Sequence, residues 1–409
     1  SAHMKGDHLV GKYYVEFDKA YKEEIENLIT TGVPKDDAEK TAPIILEAQE
    51  MLRRWEAGDD EVINLWKMMN GWVYAGFDIT YKRLGVSFDK FYYESNTYLL
   101  GKELVQEGLD KGVFFKKDDG SVWIDLTADG LDEKLLLRRD GTSVYMTQDL
   151  GTADKKYEEF GCDKSIYVVG NEQDYHFKVL FLILKKLGKS YAPGMYHLSY
   201  GMVDLPSGRM KSREGTVVDA DDLMDEMHET AKELTMELGK IEGFSQAEQD
   251  ELFETLGLGA LKYFLLRVDP AKRLVFDPKE SIDFQGNTGP FIQYTHARIH
   301  SLLKNIKDSD FVPQTAIPAT VLPHERDLLV WLANFPKAVE DAGRGYNPAI
   351  VANYVYELAR QYNRFYRESP VNKEPDAVIK SFRVALTEAT GRVIKSALNL
   401  LGIKAPERM

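Results

Sequence analysis

One cysteine in 409 residues, Cys162, leaves no partner for a disulfide within the chain and no multi-cysteine metal site. Both absences fit a reducing compartment and argue against secretion. Long hydrophobic runs are missing as well. No uninterrupted one is longer than Val179 to Leu184, far short of the roughly 20 residues that a membrane-crossing helix needs. Neither an internal repeat nor a low-complexity tract is found. What is present is globular in composition, with 44% hydrophobic and 29% charged residues, 22 tyrosines and 19 phenylalanines, which excludes the disordered and collagenous classes. At about 150 residues per domain the length predicts two to three domains. The opening Ser1-Ala2-His3-Met4 looks like a remnant of tag removal at residues 1–4, which raises the expectation of further sequence upstream.

The net charge of −14 argues against a nucleic-acid partner if the charge is spread evenly, because phosphate neutralisation needs Lys and Arg. It is not spread evenly. Residues 287–409 hold 16 Lys and Arg against 12 Asp and Glu, a local +4, so the residues before them carry −18. Ordinary solvated surfaces explain such an asymmetry as well as a polyanionic partner does.

Apolar residues Ile44, Ile45, Ala48, Met51, Leu52 and Trp55 recur at three and four between Asp36 and Gly58, which predicts one helix. A second is predicted from about Asp60 to Leu84, packed on the first as a hairpin. Beyond Gly85 short strand-like pieces follow at Lys90 to Tyr93, Val113 to Lys116, Ser121 to Asp125 and Ser143 to Thr147. Ser165 to Gly170 reads as a strand buried on both faces, then a helix from about Tyr175 to Leu187 and a strand from Met195 to Met202. That succession is one βαβ unit, with ligand contacts expected beyond the carboxyl ends of its strands. After Val218 the pattern is helical to the end, at about 219–240, 246–267, 291–306, 324–343, 348–367 and 376–401. Asp308 to Pro323, with three prolines, is the best linker candidate, the alternative being a long loop inside a bundle.

Four segments carry chemistry. Strand periodicity places Tyr145, Thr147 and Asp149 on one face, a phenol beside a carboxylate that can grip a cation. A core tyrosine and a helix cap are the plainer explanation. Gly170-Asn171-Glu172-Gln173-Asp174-Tyr175-His176 hands a strand to a helix through a polar turn, either a ligand-binding turn or an ordinary capped start. Arg209-Met210-Lys211-Ser212-Arg213 puts three basic residues in five on a glycine-flanked loop, suited to transient neutralisation of a polyphosphate or to plain solvation. Tyr354 to Arg367 interleaves aromatics with arginines, the combination that stacks unpaired bases and contacts phosphates, although half of those aromatics are expected in the core.

Taken in order and spacing, these segments resemble the class I arginyl-tRNA synthetases of bacterial type over essentially the whole chain. Tyr145-Met146-Thr147-Gln148-Asp149-Leu150-Gly151 is similar to the family's Y-x-T-x-D-x-G segment. Asn171 to His176 is similar to its Q-D-x-H turn, and Arg209 to Arg213 falls where class I synthetases carry the KMSKS loop, with Ser212 in place of the second lysine. Tyr294-Thr295-His296-Ala297-Arg298 and the ending Leu401 to Met409 match the helical anticodon-binding part.

The resemblance implies a fold that is α/β and α: the second half of a Rossmann-type parallel sheet with a helical insertion, then an all-α anticodon-binding bundle. It divides the chain into a connective insertion (5–132), the half-Rossmann part with the KMSKS-like loop (133–218), a helical stem-contact region (219–286) and the anticodon-binding domain (287–409). It implies ATP-dependent activation of arginine to arginyl-adenylate and transfer to tRNA(Arg). Glu94, Tyr145, Asp149 and Gln173 would bind arginine, His176, Met202 and Met210 would line the ATP side, and Arg209, Met210, Lys211, Ser212 and Arg213 would be catalytic. Tyr294, Arg298, Tyr362, Arg364 and Met409 would meet tRNA. ATP with Mg²⁺ is implied as substrate, with no prosthetic group, no protein-held metal and no membrane partner, in a cytoplasmic monomer. The family's HIGH signature is absent from the 409 residues, so the chain reads as a C-terminal piece that is inactive alone. The alternatives are a non-catalytic tRNA-binding module and another adenylyl-transferring enzyme of the same fold.

Overall fold

The computed structural model describes residues 4–204, 219–237, 239, 241 and 243–409. Two long helices, α1 (Gly6–Thr30) and α4 (Asp60–Leu84), pack along one another. The Asp59 carboxylate caps α4 by accepting from Val62 N–H at 3.1 Å, and Gly85 closes it at φ 70°. The single helix expected over 36–58 is two, α2 (Lys35–Thr41) and α3 (Pro43–Glu56). Pro43 has no N–H to give and holds Ala42 extended at ψ 130°, so the helix stops and restarts with proline at its first position.

The Lys90 to Tyr93 segment is not a strand. Its aromatics pack on α4 instead, Tyr93 against Tyr74 at 4.7 Å and Phe91 against Phe88, which meets Tyr81 at 4.9 Å. The short α5 (Glu94–Thr97) and α6 (Lys102–Asp110) lead to an antiparallel ribbon of β1 (Phe115–Lys116), β2 (Val122–Ile124) and β3 (Lys134–Leu137). A lone bridge between Leu137 and Ser143 ends it.

The predicted βαβ unit is present. Strands β4 (Ser165–Gly170) and β5 (Met195–Tyr200) pair in parallel from Ser165–Met195 to Gly170–Tyr200, joined by α8 (Asp174–Lys186). Helix α7 (Tyr145–Phe160) packs beside α8, and Leu150, Ala153, Val179, Leu180, Ile183 and Leu184 form the core between helices and sheet. Burial on both faces of β4 was expected and is not found. Ile166 and Val168 are 44% and 63% exposed, with Tyr196 and Tyr200 exposed beside them on β5. Both covering helices lie on the other face, so alternate residues of β4 stand uncovered.

A two-residue parallel ladder of β6 (Val203–Asp204) and β7 (Leu274–Val275) ties the sheet to a helical layer. That layer is built from α9 (Ala220–Glu237), α10 (Gln246–Leu266) and the short α11 (Pro278–Ser281). Ser245 and Glu248 form a reciprocal capping box at the start of α10. Helices α12 (Gly289–Lys307), α13 (Pro323–Gly345), α14 (Ala349–Glu368) and α15 (Ala377–Leu400) make a bundle around Leu328, Leu358, Tyr362, Phe365, Ile394 and Leu398. Residues 308–322 form neither helix nor strand, yet Gln314 N–H donates to Ser381 Oγ at 2.8 Å and Phe311 packs on the core. This proline-rich stretch is thus a loop of the bundle and not a boundary between domains.

Candidate active site

The Tyr145 to Asp149 segment, expected as a strand, is the first turn of α7. Met146, Thr147, Leu150 and Gly151 keep helical spacing on the buried side, and Gly151 lies so close to the chain before α6 that a Cβ there would collide with Leu100 C and Gly101 N. Helical spacing changes which side chains share a face. Tyr145 and Asp149, four apart, stand one above the other. Thr147 turns inward, fully buried, and donates to Leu136 O. Tyr145 is 76% exposed. On the same side of the molecule, Gln148 Nε2 donates to Thr97 Oγ1 at 3.1 Å and fastens α7 to α5, at whose start Glu94 is exposed.

Asp149 is not alone. His176, in the first turn of α8, meets Asp149 Oδ2 through Nε2 at 2.6 Å. The imidazole stands edge-on to Phe177 at 5.6 Å, and Phe177 in turn packs at a tilt against His197 at 4.4 Å. His197 Nε2 lies 3.0 Å from Val169 O, inside the sheet. Ser199 Oγ donates to Asp174 Oδ1 at 2.6 Å, pinning the start of α8 to β5. Further along α7, Lys156 lies over the Tyr167 ring at 4.7 Å and makes no ion pair among the described residues. Burial lowers its pKa, while the nearby Asp149 charge opposes that. Burial also raises the Tyr167 phenol, with Asp149 adding to the effect.

Asp149 and His176 are therefore in direct contact, at the ends of helices that cover the sheet. Gln173 is exposed in the turn after β4, and Met202 lies beside the end of that strand, where a Cβ on Gly170 would meet its Sδ at 4.0 Å. The contact thus joins His176, expected on the ATP side, to Asp149, expected on the arginine side. Residues 209–213, with all five catalytic candidates and the ATP-side Met210, lie outside the described residues. A cavity of about 420 Å³ lies next to this site, but Lys156, Tyr157, Tyr167 and Tyr191 line it rather than Asp149. Lys156 and the Asp174–Ser199 link went unread in the sequence; position 156 lies two helical turns from 149, a spacing that could have drawn notice only once α7 was known to be a helix.

In the bundle, Arg298 lies over the Tyr294 ring at 4.7 Å and over Tyr366 at 5.3 Å, and it donates to Asn363 Oδ1. Tyr366 was not singled out, because nothing in sequence links it to 298. Arg364 is exposed and paired with Glu368 at 3.2 Å. Tyr362, expected at the tRNA surface, is wholly buried. It sits on the inward stripe of α14 with Leu358 and Phe365, and burial raises its phenol pKa, so it is a core residue. Met409 is half-buried and packs against the α9–α10 core.

Residues 3–277 match the family model for class I tRNA synthetases (R), catalytic domain, and residues 292–409 match the DALR anticodon binding domain. The arginine–tRNA ligase of Amoebophilus asiaticus is 59% identical over 409 residues, covering 99% of this chain and 69% of the relative. That of Bacteroides thetaiotaomicron is 57% identical, covering 100% and 69%. Among solved structures, Thermus thermophilus arginyl-tRNA synthetase superposes with a TM-score of 0.73 at 23% identity, covering 97% of this chain and 73% of that one. The Plasmodium falciparum arginyl-tRNA synthetase gives 0.75 at 21%, covering 97% and 68%. Identities this low speak for the shared fold, and the sequence matches speak for descent. With its catalytic and anticodon-binding parts both matched, the chain belongs to the class I arginyl-tRNA synthetases.

Proposed function

We infer that the chain carries the arginine- and tRNA-binding parts of an arginine–tRNA ligase, an activity that takes arginine, ATP and tRNA. The observation that carries the arginine side is Asp149, a carboxylate 42% exposed and held at 2.6 Å by His176 where α7 and α8 begin. A guanidinium offers a planar fork of donors that a carboxylate accepts two at a time, which an ammonium cannot match. Tyr145 one turn earlier, Gln173 in the turn after β4 and Glu94 on α5 complete the pocket in this reading. Once held, the arginine carboxylate attacks the α-phosphate of ATP in line and pyrophosphate leaves. A ribose hydroxyl of the tRNA end then attacks the carbonyl of the mixed anhydride and releases AMP. Alignment and charge stabilisation supply the rate, and the basic residues Arg209, Lys211 and Arg213 neutralise the departing pyrophosphate.

Mg²⁺ enters with ATP. The trio among the described residues that could ligate a cation, Asp7, His8 and Asp221, does not fit that role, because the Lys5 ammonium already pairs with both carboxylates. The tRNA side falls to Tyr294, Arg298 and Arg364 of the bundle.

The absence of a HIGH signature and the uncovered apolar face of β4 support one further reading. The adenine side of the site needs sequence beyond these residues, and the chain alone forms no adenylate. Arginine-dependent ATP–pyrophosphate exchange tests this: none is expected, and exchange by the isolated chain overturns it. Loss of arginine binding in Asp149→Ala tests the arginine site, and unchanged binding would refute it.

A further inference from the structure

A carboxylate on the open side of a helix turns about its last bond, and a turning carboxylate is a poor partner for a planar fork of donors. Asp149 is prevented from turning. Its Oδ2 meets His176 Nε2 at 2.6 Å, and since an ionised carboxylate only accepts, His176 must carry its proton on Nε2 to make that bond.

The histidine is itself held. Its side chain is 24% exposed and stands edge-on to Phe177 at 88°. Phe177 is 8% exposed and packs at a tilt against His197 of β5, and the Asp174–Ser199 bond fixes the turn of α8 that carries His176. An unbroken set of contacts therefore runs from the sheet to one oxygen of Asp149. Lys156 adds a positive field from further along α7 without bonding to the carboxylate. Among the described residues Oδ1 and the remaining lone pair of Oδ2 take no other hydrogen bond, and Tyr145 one turn earlier is exposed.

We propose that His176 is a positioning residue that sets the carboxylate plane of Asp149, so that the preference for a guanidinium over an ammonium depends on it. The inference rests on the reading of Asp149 as the arginine-binding carboxylate. A point charge such as the lysine ammonium is attracted to a carboxylate in any rotation, whereas two parallel N–H···O bonds need one plane. Removing the imidazole should therefore harm arginine binding selectively.

The test is an NMR-monitored titration of the whole chain with L-arginine and, separately, with L-lysine, for the wild type, His176→Ala, His176→Gln and Asp149→Asn. His176→Ala is expected to weaken arginine about tenfold, as loss of order in one charge-assisted pair would, and to change lysine by less than about twofold. His176→Gln keeps an N–H donor and should recover part of the loss. In the wild type the imidazole nitrogen shifts should report the Nε2–H tautomer with and without arginine. If Asp149→Asn abolishes arginine binding but His176→Ala leaves both affinities unchanged, or lowers both equally, the positioning role is overturned and the arginine site stands. If Asp149→Asn binds arginine as the wild type does, or the wild type does not bind it, both fall.

Discussion

The bundle of α12 to α15 and the β4–α8–β5 unit solve the same packing problem differently. The bundle closes on itself: the apolar stripe of α14 is buried, and even its charged Arg383 is enclosed, 2.8 Å from Glu325 and 2.6 Å from Glu374. The parallel unit is finished on one face and left apolar on the other, with Val168 63% exposed. A closed core is a source of stability, whereas an exposed apolar face beside a polar site marks a surface shaped for something else. The difference predicts that stability mutations should concentrate in the bundle and binding mutations around α7 and α8.

The largest effect should come from the binding side. On the proposed reading Asp149 accepts two charge-assisted bonds from arginine, each contributing about 1.5–3 kcal/mol, so in Asp149→Ala arginine affinity measured by calorimetry should fall by at least about a hundredfold while the melting temperature hardly moves. Next, Arg383→Ala strands the nearly inaccessible Glu325 without its partner, and denaturant unfolding should show a loss of about 3–5 kcal/mol. The exposed Arg344–Glu340 pair, 2.6 Å apart on one helix, should cost less than about 0.5 kcal/mol when broken. Equal losses at the two sites would erase the contrast between enclosed and surface charge.

Smaller again is the expected response of tRNA binding. Filter binding across a salt series should show a slope lowered by about one on changing Arg298 to Ala; a flat dependence in the wild type would remove the bundle from the RNA interface. The smallest effect concerns pH. His296 is buried and lies 2.8 Å from Pro406 O. Burial lowers its pKa below the ordinary 6.5, with the bond to Pro406 opposing the shift. The unfolded chain therefore takes up the proton first, and stability present above pH 6.5 declines as pH falls below it. Measured unfolding curves between about pH 7.5 and 5.5, about one unit either side of that value, should show the decline in the wild type and less of it in His296→Gln.

Much of this contrast is legible in the sequence where local and tertiary preferences agree. The helices expected at 246–267 and 348–367 declare themselves by period, standing at Gln246–Leu266 and Ala349–Glu368, and the strand–helix–strand order around 165–200 by texture. The carboxylate at 149 was found by motif, yet its setting was misread: Ser143-Val144-Tyr145 favours a strand locally, whereas Met146, Thr147, Leu150 and Gly151 bury one helical stripe. The open face of β4 was equally hidden, because a run of apolar residues cannot say which side the helices take. Tyr362 could have been placed: with Tyr354, Leu358 and Phe365 it keeps the spacing of an inward stripe. His176 could not, since its partner is 27 residues away and no pattern links them.

Citrulline has the planar outline of arginine without the positive charge, and comparing the two ligands tests the central claim most directly. Calorimetric titration of the wild-type chain should show arginine binding and citrulline failing, with the preference gone in Asp149→Asn. Equal affinity for the two, or a preference that survives in Asp149→Asn, would contradict the account.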